Sequence, residues 1–328
     1  RVYGYNNIPE TRGIGRQLLS PTIEAQVPLR RIRYQLVALG YQEVVTYAFI
    51  DPTLSRVVLG SDGGTIPLQN PISEDMSLMR SSLLPGLISA YQYNSNRQRD
   101  RLRLFETGLV FSQSDNEIQQ TSMIGGLISG QRNPENWSNK KELGDFYDIK
   151  GDVEVLLSLK GQSMGVRFVA AERSGFHPGQ CARIEDMQGN EIGHLGALHP
   201  AAAIQLGIES TVYIFELLQA AAELSEIPRA TELSKYPEVS RDLAIVIDEF
   251  VSSSAILAMV EDKAGEFLVG SRIFDVYQGD AIAKNKKSIA LGLTWQHPSR
   301  TLSDDDINAT IRSCVNALQD KFNANLRN

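Results

Sequence analysis

A chain of 328 residues, 42% hydrophobic and 22% charged, has the composition of an ordinary globular protein and predicts two domains. No apolar run approaches the ~20 residues of a membrane helix, and no signal-peptide pattern opens the chain. Cys181 and Cys314 are the only cysteines, which excludes a disulfide framework or a cysteine-rich zinc site and fits a reducing, intracellular setting. A net charge of −7, with 11 Lys and Arg against 13 Asp and Glu from Ser234 onward, restricts any nucleic-acid contact to a local patch.

The chain begins without methionine inside a well-patterned segment, RVYGYNNIPE, which reads as part of a longer polypeptide. Ser20-Pro21 has the form of an N-cap followed by proline at the first helical position, and predicts a helix start. Leu29, Ile32, Leu36 and Leu39 recur at helical spacing, with Gly40 as the stop. YQEVVTYAFI (41–50) has the β-branched and aromatic content of a strand, ended by Asp51-Pro52. MRSSLLPGLISAYQYNSNR (79–97) predicts a helix capped near Ser82, with Pro85 tolerated in its first turn. DRLRLFETGLVF (100–111) and SMIGGLISGQ (122–131) predict strands. GDFYD (144–148) leads into a helix over 149–161. FHPGQCARIED (176–186) and EIGHLGALHP (191–200) predict paired strands, and VYIFELLQAAA (212–222) a strand running on into a helical or loop stretch. The mixture lacks regular βαβ alternation and points to an antiparallel sheet with flanking helices, an α+β fold.

After a linker at EIPRATELSKYP (226–237), the order becomes strand (240–248), helix (252–265), two strands (268–279 and 286–298), a long amphipathic helix (303–322) and a closing NANLR. This β-α-β-β-α-β sequence is the ferredoxin-like arrangement, a fold that often reads nucleic acids or small ligands.

Several catalytic devices are missing. There is no GxxxxGK[ST] phosphate loop, no GxGxxG after a strand (Gly13-Ile14-Gly15 lacks the third glycine), no HExxH and no GxSxG. His177, His194 and His199 share one sheet-like region, but their spacing fits no zinc pattern, and structural roles are the plainer reading. Arg97, Arg99, Arg101 and Arg103 alternate, and on a strand would share one face as an anion clamp; a solvated strand start or a subunit contact is the plainer reading. Asp145 and Asp148 have the chemistry to hold magnesium, whereas a helix N-cap is the more economical role. Lys284, Lys286 and Lys287 before the last long strand, and Arg300 after it, form the candidate basic patch.

Blocks spread along nearly the whole chain resemble the C-terminal half of the β subunit of bacterial phenylalanyl-tRNA synthetase. RVYGYNNIP is similar to the end of the family's DNA-binding-like domain (1–12). NPISEDMSLMRSSLLPGLISAYQYNSNR, RLRLFETGLVF, GDFYDIKGDVE, FHPGQCA and IGHLGALHP resemble its class II synthetase catalytic-like domain (13–230). KYPEVSRDLAIVID, RIFDVYQG and KSIALGLTWQHPSRTLSDDDIN resemble its ferredoxin-fold anticodon-binding domain (231–328).

The resemblance implies a non-catalytic partner of an α subunit in an (αβ)2 heterotetramer that joins phenylalanine to its tRNA at the expense of ATP, in the cytoplasm. ATP and Mg belong to the complete enzyme, and neither a cofactor nor a metal is expected on this part. Arg80 and Phe105-Glu106 echo one class II element, while the second, a glycine-rich segment ending in arginine, has no match; the nearest glycine run, Gly193 to Gly196, ends in His199-Pro200. No catalytic residues are therefore expected. Position in the family places Leu29, Ile32, Leu36 and Leu39 in the core or at the subunit interface. It offers Phe274, Tyr277 and Trp295 as stacking aromatics for tRNA, with Arg241, Lys286, Lys287 and Arg300 on phosphates. The alternative is a free-standing synthetase-like interaction protein with no role in tRNA charging.

Overall fold

A computed structural model describes residues 2–9, 25–60, 65–114, 117–161, 165–227, 233–279 and 282–327. The chain divides at 228/229 into two compact units. The expected helix start at Ser20-Pro21, Gly13 to Gly15, and the boundaries at 12/13 and 230/231 lie outside the described residues.

In the first unit, helix α1 (Leu29–Ala38) follows Pro28. Ile32 and Leu36 are fully buried in the core, while Leu29 and Leu39 are only partly covered. The interface expected at this stripe is thereby corrected for Ile32 and Leu36, which the domain's own core consumes. Gly40 ends the helix at φ 85°, a left-handed conformation that favours glycine.

The predicted strand at 41–50 is broken into β1 (Gln42–Glu43) and β2 (Phe49–Ile50), which join different sheets. Between them Val45 and Tyr47 point into solvent. Asp51-Pro52 then opens a helix not foreseen, α2 (Pro52–Leu59): Asp51 accepts the Thr53 amide at 2.7 Å, and Gly60 closes it at φ 67°. Two short strands, β3 (Ile66–Pro67) and β4 (Leu78–Met79), complete a small sheet with β2. Helix α3 (Leu84–Ser95) carries Pro85 in its first turn, and Ser82 Oγ accepts the Leu84 amide at 3.1 Å.

A long antiparallel pair, β5 (Leu102–Ser114) and β6 (Glu117–Ser129), forms the spine of the main sheet. Helix α4 (Phe146–Ser158) follows, then β7 (Val166–Ala170), β8 (Phe176–Asp186), β9 (Glu191–Leu198), the short α5 (Pro200–Gln205), β10 (Val212–Leu218) and α6 (Gln219–Glu223). The seven strands lie in the order β1-β5-β6-β10-β9-β8-β7, antiparallel except for β1 beside β5. The sheet packs apolar clusters on both faces, one with α1, α4 and α6, the other with α2, α3 and α5.

The four alternating arginines do not share a strand. Arg97 lies beyond α3, its guanidinium 3.4 Å over the Tyr93 ring. Arg101 donates to the Gln131 and Arg132 carbonyls, and only Arg103 sits within β5, paired with Asp152 of α4 at 2.8 Å. Tyr41 donates to the same carboxylate, so these three side chains tie the end of α1 to α4. Asp145 takes the helix-capping role: it accepts the amides of Tyr147 and Asp148, while Asp148 accepts that of Asp145.

The second unit contains β11 (Val239–Asp248), α7 (Ser253–Lys263), β12 (Leu268–Tyr277), β13 (Lys286–Trp295), α8 (Asp304–Phe322) and β14 (Asn325–Leu326). Sheet order β12-β13-β11-β14 gives the ferredoxin-like topology the sequence order predicted. Ser252 caps α7, and Ser303 with Asp306 forms a capping box on α8. Leu243, Ile245 and Ile247 of β11 share a face with Ile289, Leu291 and Leu293 of β13 under the two helices, and among the described residues no helix of this unit lies on the opposite face, which is bare in that sense.

Candidate functional sites

Register carries a row of polar side chains across the first sheet: Glu106 opposes Gly125, Gly125 opposes Glu216, and Glu216 opposes His194. Cross-strand partners share a face, so this row meets the start of α3. Glu216 is buried; it accepts the Leu83 amide at 2.6 Å and the Ser82 hydroxyl at 3.0 Å. Burial raises its pKa above the usual carboxylate range. Arg80, 5% exposed, donates to Glu106 at 2.7 Å, to Thr46 Oγ1 at 3.1 Å and to the Leu109 carbonyl at 2.8 Å. Its guanidinium lies where a side chain on Gly108 would have to go, 2.3 Å from that Cβ position. Over Gly125 the space is taken by Leu83 and Leu87.

His194 ends the row, edge-on to Phe176, its Nε2 3.9 Å from Glu216. Burial, helped by the Arg173 charge, pushes its pKa down to about 3. The folded state thus holds it neutral while the unfolded chain protonates it near 6.5, so its contribution is complete above pH 6.5 and is lost as pH falls. Urea unfolding of His194→Gln and the parent chain, compared at pH 6.5 and pH 5, should differ in pH response by about 2 kcal/mol, the parent losing more. The difference isolates His194 from Glu216, whose raised pKa works in the opposite direction above its unfolded value.

His177 and His199 do separate local work, each accepting with Nδ1 the amide two residues on. Among the described residues no group of three His, Cys, Asp or Glu is placed to hold a metal ion. A cavity of about 670 Å³ near the end of α2 is lined by Arg56, Gly60, Arg173, Phe176, His199 and Gln205, among others.

The bare face of the second sheet carries a different chemistry. Register places Ser240, Asp242, Ala244 and Val246 of β11 on it, with Lys286, Ser288, Ala290, Gly292 and Thr294 of β13 and Gly270, Arg272, Asp275 and Tyr277 of β12. Most of the central positions are small, so the platform is shallow. Arg272 lies across Gly292, its Nε 3.0 Å from where a Cβ would stand. The Arg327 amide bonds to the Ala244 carbonyl; its side chain donates to Ser288 at 3.2 Å and its Cζ stands 5.3 Å from the Tyr277 ring centre. Tyr277 is 38% exposed.

The sequence-predicted residues therefore divide. Tyr277 and Lys286 lie on the bare face, and Phe274 is exposed at a bulge in β12. Trp295 does not stack on anything outside: it is 2% exposed, pairs with Leu268 on the helix side and donates Nε1–H to the Ala264 carbonyl at 3.0 Å. Lys287 follows Lys286 on a strand and so faces the other way, opposite Ile247, where partial burial lowers its pKa. Arg241, opposite Leu293, pairs with Asp304, and Arg300 pairs with Asp306 at 2.7 Å, both at the start of α8. These three do not join the bare face. Arg272 and Arg327 do, and sequence reasoning missed both.

Comparison with known families gives two matches: phenylalanyl tRNA synthetase beta chain CLM domain over residues 8–218, and ferredoxin-fold anticodon binding domain over 234–327. The chain is 46% identical over 329 aligned residues to the phenylalanine–tRNA ligase beta subunit of Pseudomonas putida, with the whole chain covered. It is 43% identical to that of Pasteurella multocida and 42% to that of Hahella chejuensis. It spans 41% of the length of each of these relatives. The chain belongs to the phenylalanyl-tRNA synthetase beta chain family.

Proposed function

We propose that this chain is the C-terminal portion of a non-catalytic synthetase subunit, which supports a companion α subunit in ATP-dependent attachment of phenylalanine to tRNA and holds the tRNA near its anticodon. The observation that carries the RNA role is the bare second sheet: Tyr277 offers a ring for base stacking beside Arg327 and Arg272, on a surface kept shallow by Ala244, Ala290 and Gly292. Lys286 adds a cation at one end of that face.

The lack of catalysis rests on the first sheet. A nucleotide phosphate needs a free arginine fork, and Arg80 is buried against Glu106, Thr46 and a backbone carbonyl. The face beside it is occupied by Leu83 and Leu87, so the residues present do not fit bound ATP there. ATP and Mg belong to the companion subunit. Tyr34 and Val37 on the solvent side of α1, and Val45 and Tyr47 after it, are exposed apolar side chains of the kind a companion subunit in an (αβ)2 assembly would cover.

Removing residues from Lys235 onward in the assembled enzyme tests the RNA role. The KM for tRNA should rise at least 10-fold, while phenylalanine-dependent ATP–pyrophosphate exchange stays unchanged. An unaltered KM for tRNA would overturn it.

A further inference from the structure

We propose that Arg327 is a positioning residue for RNA: its guanidinium, laid across the bare sheet of the second unit, holds the Tyr277 ring ready to stack before any RNA arrives. The inference rests on the RNA reading of that sheet, and it assigns Arg327 to the ring and not to a phosphate.

Register lines up Tyr277 of β12, Ser288 of β13, Val246 of β11 and Asn325 of β14 across the four strands. Arg327 lies two residues beyond Asn325 and so falls on the same face. Its amide donates to the Ala244 carbonyl at 2.9 Å, which roots it at the sheet edge. Ala244 in turn pairs with Ala290, two small side chains over which a long one can lie flat. The guanidinium reaches inward: Nη1 donates to Ser288 Oγ at 3.2 Å, and Cζ stands 5.3 Å from the Tyr277 ring centre. Ser288 is only 4% exposed, although no helix among the described residues of this unit lies on its side of the sheet. Arg327, its hydrogen-bond donor, and Tyr277, its cross-strand partner, close over it.

The hydroxyl end of the ring has a stop of its own. A Cβ on Gly279 would fall 2.6 Å from the Tyr277 hydroxyl oxygen and 2.9 Å from Cζ, so the ring folds back against the chain just after β12. Held by Gly279 and Arg327, Tyr277 still leaves 38% of its surface to solvent. A ring fixed in advance loses less freedom on binding than one that must be ordered by its ligand. Sheet aromatics of this kind stack unpaired bases. A planar guanidinium suits the double contact, one edge on a hydroxyl and the whole group beside a ring.

The test uses the assembled enzyme, both subunits at full natural length, with tRNA affinity measured by filter binding across a series of salt concentrations. Arg327→Ala should weaken binding roughly 5-fold, a part of the ~10-fold lost with the ring itself. In a Tyr277→Ala background the same substitution should cost nothing further, because no ring remains to be positioned. The slope of log Kd against log salt should keep its parental value. Arg327→Lys, which keeps the charge without the planar fork, should bind as weakly as Arg327→Ala. Gly279→Ala displaces the ring without touching a charge, and should weaken binding only while Tyr277 is present. Full recovery in Arg327→Lys, a slope reduced by about 1, or an added loss on the Tyr277→Ala background would make Arg327 a direct contact, and each overturns the proposal. Parental affinity in Arg327→Ala beside a weakened Tyr277→Ala overturns the positioning role and leaves the RNA reading of the sheet standing. Parental affinity in Tyr277→Ala overturns both.

Discussion

Arg80→Ala is expected to lower the unfolding free energy of the first unit by about 3–5 kcal/mol, because it strands Glu106 in the sheet without a counter-charge. Thr46 keeps its two bonds to that carboxylate, at 2.7 and 3.3 Å, which holds the loss toward the lower end. Lysine is no remedy, since one ammonium cannot serve Glu106 and the Leu109 carbonyl in the geometry of a planar fork. Replacing both partners, Arg80→Met with Glu106→Leu, removes the stranded charge and should recover most of the stability. Urea unfolding followed by circular dichroism gives the free energies. The charging rate per assembled complex, taken well below the unfolding temperature, should be unchanged in Arg80→Ala. A drop in that rate for the folded variant would contradict the structural role.

Trp295→Ala is expected to cost the second unit about 3–5 kcal/mol, through the cavity it opens beneath α7 and the orphaned Ala264 carbonyl. Trp295→Phe should retain most of the packing and lose about 1 kcal/mol with the indole hydrogen bond. The pair separates folding from recognition. Per folded molecule, Trp295→Phe should bind tRNA as the parent does, whereas Tyr277→Ala should bind on the order of 10-fold more weakly. Equal losses in filter binding for Trp295→Phe and Tyr277→Ala would refute the division of the sheet into a helix side and an RNA side.

Much of the second unit was legible because its local signals agree. Ser303 and Asp306 announce a capped helix, and Ile289, Leu291, Leu293 and Trp295 fall on one strand parity. That parity already assigned Trp295 to the core, and its aromatic chemistry obscured the point. Arg272 was hidden for a different reason. Bulges near Val269 and Phe274 change the parity of β12, so simple alternation from Tyr277 sends Arg272 to the wrong face. Arg327 gains its role from a two-residue strand that no periodicity reveals.

In the first unit the long strands and α3 were readable from their patterns. Asp51-Pro52 was ambiguous, since the same pair that ends a strand also opens a helix. The alternating arginines misled because alternation means one face only where a strand exists, and β5 starts at Leu102. The row Glu106, Glu216, His194 depends on which strands are neighbours, and β6 and β10 adjoin from far apart in sequence.

The seat of Arg327 bears on how preparations behave. Its amide closes the last backbone bond of the sheet, and its guanidinium braces Tyr277 and Ser288 from one edge. A proteolytic cut just before Arg327 would strip that brace while leaving the other three strands and both helices of the unit intact. Batches alike in purity and melting behaviour would then differ in RNA affinity, and intact-mass spectrometry, not electrophoresis, is the measure of a sound sample.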